Sequence, residues 1–175
     1  MSLETTYIQE KLTETFGENV FHFNQEKDIF SLEVASDKIT AVILFLKNEP
    51  TINFHFLTDL CGVHYPDNVA ERQFAVVYHL HNWYENKRIK IKSFLNGENP
   101  EIKSITTIFP STNWMEREAY DFYGINFVGH PQLKRILNMD EMVSFPMRKE
   151  FPMEDGGRTD KDDRFFGRTP QIAKK

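Results

Sequence analysis

Four charged side chains lie within six residues of one predicted helix and are the clearest candidates for chemistry. They are Glu116, Arg117, Glu118 and Asp121. Carboxylates beside an arginine can have well-separated pKa values, which general acid–base catalysis requires. A structural ion-pair network or a protein interface uses the same residue types, and no nucleophile stands beside them in the sequence. We therefore favour a structural interpretation over a catalytic one.

Histidines supply a second candidate, a metal site. His79 and His81 share one face of a predicted strand because side chains alternate along a strand. His55 or His64 would have to complete the ligand set. The alternative is that these are histidines of the sheet surface or core. No carboxylate that would orient a metal-binding imidazole is recognisable, so the sequence favours that alternative.

Two further residues fit catalytic roles less well. His130, between Gly129 and Pro131, suits a catalytic loop, but the same tripeptide makes a rigid turn in which the imidazole bonds to the backbone. We favour the turn. Cys61 follows two leucines and is predicted to be buried and unreactive. As the single cysteine, it excludes an iron–sulfur cluster held by cysteines of this chain alone, and no glycine-rich nucleotide-binding loop is present.

Hydrophobic spacing predicts the elements that must position these residues. A helix is expected over 3–16, and an apolar helix that Ser36 caps is expected to end before Pro50. Strand patterns occupy 19–23, 28–35, 53–57, 74–84 and 88–95, with a short helical turn at 58–61. The first two strands are predicted to form a hairpin with its turn at 24–27, and Ile89, Ile91 and Ser93 are predicted to share one side of the last strand. With one more helix near residue 113, this order predicts a two-layer α+β domain, in which one mixed β-sheet carries helices on a face.

The last predicted helix carries the charged cluster. Asn113 and Glu116 have the spacing of a capping box, and Gly124 after Tyr123 is a typical C-terminal stop. These signals predict an eleven-residue helix with both ends marked. Its apolar face is predicted to consist of Met115, Ala119 and Phe122.

Charge divides the chain near Phe145. The 175 residues have a net charge of −5, which argues against general nucleic-acid binding. Residues 146–175 carry 8 basic and 6 acidic side chains and contain neither Val nor Leu, so they cannot form a core. We predict a domain over 1–145 and an extended docking arm over 146–175. Paired Phe and Met anchors favour an arm that orders on a partner over a solvating tail.

Membrane and export signals are absent from the sequence. No run of about 18 uncharged apolar residues predicts a transmembrane helix. The first residues have neither the basic nor the apolar region of a signal peptide. The sequence therefore predicts no transmembrane segment.

The segment from Trp114 to Leu137 resembles a known family signature. The matching positions are Trp114, Met115, Glu116, Arg117, Glu118, Asp121, Gly124, Ile125, Phe127, Gly129, His130, Pro131, Leu133, Arg135, Ile136 and Leu137. Arg148 and Lys149 extend the match. This pattern resembles the C subunit of the respiratory NADH–quinone oxidoreductase, the peripheral-arm subunit of bacterial complex I, which is related to the J subunit of photosynthetic NDH complexes.

The resemblance implies a structural subunit. The family complex transfers electrons from NADH to quinone and couples this to proton translocation. Its FMN, iron–sulfur clusters and quinone would lie in partner subunits, with no cofactor in this chain. The C-terminal part would lie along the D subunit in the connecting module with the B and I subunits, peripherally on the cytoplasmic face of the bacterial inner membrane. The signature residues would hold the turn and the docking face.

Two alternatives remain open at this point. The chain could serve the equivalent position in a ferredoxin- or F420-linked complex or a membrane-bound hydrogenase. It could also be a stand-alone metal hydrolase that uses the carboxylates and histidines.

Overall fold

The computed structural model describes residues 5–17, 21–26 and 29–151. The helices are α1 (Thr5–Phe16), α2 (Ile39–Asn48) and α3 (Thr112–Tyr123). The strands are β1 (Phe21–Glu26), β2 (Ile29–Val34), β3 (Phe56–His64), β4 (Phe74–Asn82), β5 (Lys87–Leu95), β6 (Glu101–Lys103) and β7 (Asn126–Val128). A 3₁₀ turn at Ala70–Arg72 precedes β4. Within this described part, no helix combines the length and apolar character needed to cross a membrane.

Five strands form one mixed sheet in the order β1-β2-β5-β4-β3. Strands β2 and β5 run parallel, and the other neighbours are antiparallel. The predicted α+β class with one mixed sheet and helices is confirmed. Strands β6 and β7 form a separate parallel pair, which hydrophobic spacing did not predict because three residues show no measurable period.

The core lies on one face of this sheet. Strand β5 alternates as predicted, with Ile89, Ile91 and Ser93 fully buried on that face. The large buried side chains of β4 lie beside them, since Tyr78 pairs with Ile91. The helices complete the same core cluster through Ile8, Leu12, Val42, Ile43, Leu46 and Ala119. Burying this apolar surface is the main term that stabilises the domain.

The region around Cys61 folds differently from the prediction. The expected strand at 53–57 and helical turn at 58–61 are replaced by the nine-residue strand β3, with an irregularity between Leu57 and Asp59. Pairing along β4 gives the backbone hydrogen-bond partners that an isolated helical turn would lack. Cys61 is exposed, not buried, because it alternates with Leu60 and Gly62, which face the core.

The start of α2 and the end of β1 also differ from the predicted positions. Ser36 is not the N-cap of α2, because the helix begins at Ile39 and Lys38 takes the cap position without a side-chain hydrogen bond. The β1–β2 hairpin is confirmed, but β1 continues to Glu26, into the segment predicted to form the turn. Residues 1–4 of the first predicted helix and residues 152–175 of the predicted arm lie outside the described residues.

Candidate functional site: a clamp around helix α3

Helix α3 begins one residue before the predicted cap. Ser111 occupies the N-cap position without a side-chain hydrogen bond, so the predicted capping box of Asn113 and Glu116 is wrong. The fully buried stripe is Thr112, Glu116 and Ala119, at spacings of four and three residues. The predicted apolar face is therefore wrong in part: Met115 and Phe122 are only half-buried, and Glu116 turns inward.

Glu116 is a fully buried carboxylic group that ties α3 to the preceding loop. Its Oε1 accepts a hydrogen bond from the Ile105 backbone N–H at 2.8 Å. Its Oε2 and the hydroxyl of the equally buried Tyr78 have no hydrogen-bond partner among the described residues. Burial raises the pKa of Glu116, although the hydrogen bond from the Ile105 N–H and the nearby hydroxyls of Ser104 and Thr112 oppose the shift. Glu116 has no solvent exposure, which supports the structural interpretation over the catalytic one.

Asp121 is a fully buried carboxylate surrounded by donors. Arg135 Nη1 donates at 2.7 Å, and the backbone N–H groups of Ile136, Leu137 and Asn138 donate at 3.0, 2.8 and 3.0 Å. Burial alone would raise the pKa of Asp121, but the backbone donors of Asn138 and Leu137, together with Arg135, hold it well below its ordinary range. Asp121 is therefore an ionised anchor for the chain that follows β7.

Arg135 fastens that following segment, residues 129–151, which we name the signature loop. The Arg135 side chain, which forms an ion pair with Asp121, is only 7% exposed. The guanidinium also donates to the carbonyls of Met142 at 2.6 Å and Ser144 at 3.1 Å, and it lies 4.9 Å from the centre of the Phe145 ring. One buried cation thus connects the end of α3 to three separate points of the loop.

Arg117 and His130 hold the near end of the signature loop. Arg117 donates to the carbonyls of Lys134 and Arg135, and its guanidinium lies 5.0 Å from the exposed Trp114 ring. His130 Nδ1 accepts from the Gln132 N–H, and Nε2 lies 3.1 Å from the Asn113 carbonyl oxygen. Both ring nitrogens are engaged with the backbone, which supports the rigid turn over a catalytic base.

Arg148 and Lys149, near the C-terminal end of the signature loop, bind to the ends of α3 and β3. Arg148 Nε donates to the Tyr123 carbonyl at 2.8 Å, and its guanidinium lies 4.8 Å from the centre of the Phe145 ring. The Lys149 backbone N–H donates to His64 Nδ1 at 2.9 Å. Burial lowers the pKa of His64, which suits a neutral acceptor.

Gly124 ends α3 as predicted and leaves room for the signature loop to pack against the end of the helix. Its φ of +73° is a left-handed conformation, and its N–H donates to the Tyr120 carbonyl at 2.8 Å. A Cβ at this position would lie 2.6 Å from the Phe145 ring and 2.7 Å from Arg148 Nη2. Glycine is therefore required twice over, for its φ and for the close approach of the signature loop.

The other candidate residues are not brought together. His79 stands opposite Asp59 and His81 opposite Phe56 on strands β4 and β3, while His64 is engaged with the signature loop. In the part of the chain that the structure describes, no three His, Cys, Asp or Glu side chains are placed to hold a metal ion. Partial burial, with Asp59 and Glu118 nearby, raises the pKa of the Cys61 thiol.

Exposed apolar side chains concentrate on the signature loop, and the Phe and Met anchors predicted for the arm account for only two of them, Met147 and Phe151. Five of the twelve large exposed hydrophobic residues in the described part fall within residues 137–151. They are Leu137, Met139, Val143, Met147 and Phe151, and Val143 is 92% exposed. Their irregular spacing has neither a helical nor a strand period, so periodicity could not have located them.

Comparisons with known proteins agree on one family. The family model described as "Respiratory-chain NADH dehydrogenase, 30 Kd subunit" matches residues 32–156. NADH-quinone oxidoreductase C subunit 2 of Rhizobium etli is 39% identical over 154 residues, which cover 87% of this chain and 80% of the relative. The NADH-quinone oxidoreductase C subunit of Roseiflexus sp. RS-1 is 34% identical over 172 residues, 97% of this chain and 98% of the relative.

Solved structures share the fold. The structure described as the trypsin-resistant fragment of Nqo5 is 25% identical, with a TM-score of 0.59 over 72% of this chain and 99% of that one. A chain of the membrane-bound sulfane sulfur reductase, an archaeal respiratory membrane complex, is 22% identical. Its TM-score is 0.70 over 90% of this chain and 95% of that one.

Proposed function

The chain belongs to the respiratory-chain NADH dehydrogenase 30 kDa subunit family, whose relatives include the C subunit of NADH-quinone oxidoreductase, and from this premise we propose that it is a non-catalytic structural subunit of that complex. It is a peripheral subunit of a membrane-associated complex. The complex transfers electrons from NADH to quinone and couples this to proton translocation. The chain contributes by holding neighbouring subunits in position.

The observation that carries this proposal is an apolar surface on a rigid support. The backbone of the signature loop is fastened at Asp121, Arg135 and Arg148, yet its side chains at Met139 and Val143 face solvent. A loop that must only solvate the chain end has no need for a buried ion pair and further arginine bonds to backbone carbonyls. Apolar side chains on a backbone that is already held in place can bind a partner with a small loss of backbone conformational entropy.

From the family to which the chain belongs, we also infer which subunits it contacts. The signature loop and the residues after it contact the D subunit, within the connecting module that the B and I subunits complete. The chain lies on the cytoplasmic face of the bacterial inner membrane and binds no cofactor, so that FMN, iron–sulfur clusters and quinone belong to its partners. Of the signature residues, the exposed Trp114, Glu118, Gly129, Pro131 and Lys149 are available for such contacts.

A paired substitution tests the docking surface. The tagged chain is expressed with the other subunits, and the amount of the D subunit recovered per tagged chain is measured by quantitative mass spectrometry. We expect the Met139→Asp/Val143→Asp double variant to lower this recovery about tenfold, the effect of losing a buried interface anchor. Val69→Asp is the control, because Val69 is 64% exposed and lies outside the signature loop, on the segment between β3 and β4.

Equal recovery from the double variant and from Val69→Asp would contradict the docking surface. Both variants should retain the thermal midpoint of the original chain, because all the altered side chains are exposed. The same purification addresses the alternative complexes, since it identifies the flavin-bearing electron-input subunit. The relatives described above are named as NADH-quinone oxidoreductase subunits and give no support to an F420-linked complex, a hydrogenase or a metal hydrolase.

A further inference from the structure

A second exposed apolar surface lies at the end of the sheet opposite to the signature loop. Trp83 and Tyr84, which follow β4, are 58% and 83% exposed, and the partly exposed Phe56 begins β3 beside them. The signature loop contacts the other end of β3, through His64. Strand β3 has nine residues, and at about 3.3 Å per residue the two surfaces are roughly 25 Å apart. They are therefore separate surfaces.

The aromatic rings at this end of the sheet form one cluster. The centre of the Trp83 ring lies 4.8 Å from that of Phe56 and 5.9 Å from that of His55. The Tyr84 ring centre lies 5.1 Å from that of His55. Ring pairs at these distances attract one another beyond the effect of buried area, so the exposed rings form one continuous apolar surface.

The turn that carries the two most exposed rings is held by a buried asparagine. Asn82 Nδ2 donates to the Ile52 carbonyl at 2.8 Å, and Asn82 Oδ1 accepts from the Glu85 backbone N–H at 3.1 Å. Because this backbone is fixed before a partner arrives, docking on the rings costs little backbone conformational entropy.

Two free cations adjoin the rings. Arg88 stands opposite His81, which stands opposite Phe56, so Arg88 and Phe56 lie on the same side of the sheet. Lys87 and Arg88 are exposed, and neither forms an ion pair within the ranges that the structure describes. The segment that joins β4 to β5 includes a single acidic residue, Glu85. This part of an acidic chain is therefore locally positive.

The residue types of the surface favour a protein partner. Trp, Tyr and Arg are enriched at the positions that contribute most to binding in protein interfaces. A guanidinium binds a carboxylate through two parallel hydrogen bonds, which makes a carboxylate its best-matched partner. A segment that combines acidic and apolar side chains is complementary to both the cations and the rings.

We propose that this surface, formed by Phe56, Trp83, Tyr84 and Arg88 and named here the hairpin surface, docks an acidic, partly apolar segment of another subunit of the complex, distinct from the subunit that binds the signature loop. The inference rests on the proposed function, because a subunit that holds its neighbours in position must contact more than one of them. The rings bury the apolar side chains of that segment, and Arg88 pairs with its carboxylate.

Photo-cross-linking in the assembled complex tests the hairpin surface. Tyr84 is replaced by p-benzoylphenylalanine, a photoreactive aromatic residue, the tagged chain is expressed with the other subunits, and cross-linked peptides are identified by mass spectrometry. We expect a peptide of a subunit other than D that contains Asp or Glu. In the same background, Arg88→Glu should lower the yield of this product about tenfold, as for the loss of an interface anchor. Lys103→Glu is the matched control, because Lys103 is an exposed cation on β6.

Three results would overturn the proposal: no cross-link to another subunit, a cross-linked segment without acidic residues, or a cross-link to a second copy of this chain. Equal yields from Arg88→Glu and Lys103→Glu would also overturn it. The same photoreactive residue at Val143 reports on the signature loop in a parallel sample. Failure at Tyr84 alone contradicts the hairpin surface, whereas failure at Val143 contradicts the proposed function on which it rests.

Discussion

Two carboxylic groups on one helix are buried, and their pKa values are shifted in opposite directions. Asp121 receives donors from a cation and three backbone N–H groups, so it is ionised. Glu116 receives one backbone donor at Oε1 and leaves Oε2 without a partner among the described residues, and burial raises its pKa. The number of donors that reach a buried carboxylate therefore decides whether burial or hydrogen bonding dominates its pKa.

The raised pKa of Glu116 predicts a pH-dependent stability difference. Between its ordinary value of 4.5 and the raised value, the folded chain holds a proton that the unfolded chain has released. The free energy of unfolding therefore falls as the pH rises through this window. Glu116→Gln removes the titrating group, so the variant should gain stability relative to the original chain as the pH rises.

Urea unfolding from about pH 4.5 to about pH 8 measures this difference. Glu118→Gln is the matched control, because Glu118 is exposed on the same helix. Its stability should differ from that of the original chain by a constant amount across this range. A Glu116→Gln difference that is equally constant would show that Glu116 does not titrate in this window.

Arg135 and Arg117 both contact the signature loop, but burial separates their expected contributions. Arg135→Gln leaves Asp121 as an unpaired buried charge and should lower the free energy of unfolding by about 3–5 kcal/mol. Arg117→Gln removes only bonds to carbonyls near the surface and should lower it by about 1 kcal/mol. Urea unfolding at neutral pH compares the two, and equal losses would contradict the assignment of Arg135 as the central anchor.

At the scale of elements, the end of α3 and the signature loop depend on each other. Gly124 allows the chain to leave the helix in a left-handed conformation and leaves room for Phe145 and Arg148. The loop in turn provides the donors that ionised Asp121 requires. This mutual dependence explains why helix and loop share one sequence signature.

Two glycine substitutions separate backbone strain from steric contact. Gly124 and Gly129 have similar φ angles of +73° and +85°, but a Cβ at Gly129 meets nothing within 4 Å. Gly129→Ala should lower the free energy of unfolding by about 1–2 kcal/mol through strain alone. Gly124→Ala should lower it by a further 1–3 kcal/mol, approximately, because the signature loop must move. Equal losses in urea unfolding would argue against close packing of the loop on Gly124.

At the scale of the whole molecule, α3, the signature loop and the sheet form one packed unit. Ala119 of α3 belongs to the same core cluster as Tyr78 and Ile91 of the sheet. The described chain beyond the predicted boundary at 145 still contacts the domain, through Arg148 and Lys149. The division at 145 remains a prediction, and the docking arm that follows it remains a proposal.

The chain's two tryptophans can test whether α3, the signature loop and the sheet unfold together. Trp114 lies on α3 and Trp83 lies at the turn between β4 and β5, so the Trp83→Phe and Trp114→Phe variants each retain one reporter. For each variant, we expect the fluorescence midpoint in urea to coincide with its circular dichroism midpoint, because one core unfolds in one cooperative transition. Separate midpoints would show that α3 and its loop unfold independently of the sheet.

Local signals predicted the parts that depend on neighbours in sequence. The alternation of β5 identified its buried face, and Gly124 identified the end of α3, because strand period and left-handed φ are properties of a few consecutive residues. The signature positions likewise identified the family through residue types and spacing alone. These features need no knowledge of what the chain packs against.

Only the tertiary structure decided which side of each element is buried when the local pattern is ambiguous. Glu116 lies inside because α3 turns that side to the sheet and Ile105 supplies a donor, and Cys61 lies outside because pairing with β4 extends β3 through the predicted turn. The five-stranded sheet likewise joins β2 to β5, which lie far apart in the sequence. Burial and pairing are set by contacts between remote segments, and one local pattern is compatible with several such contacts.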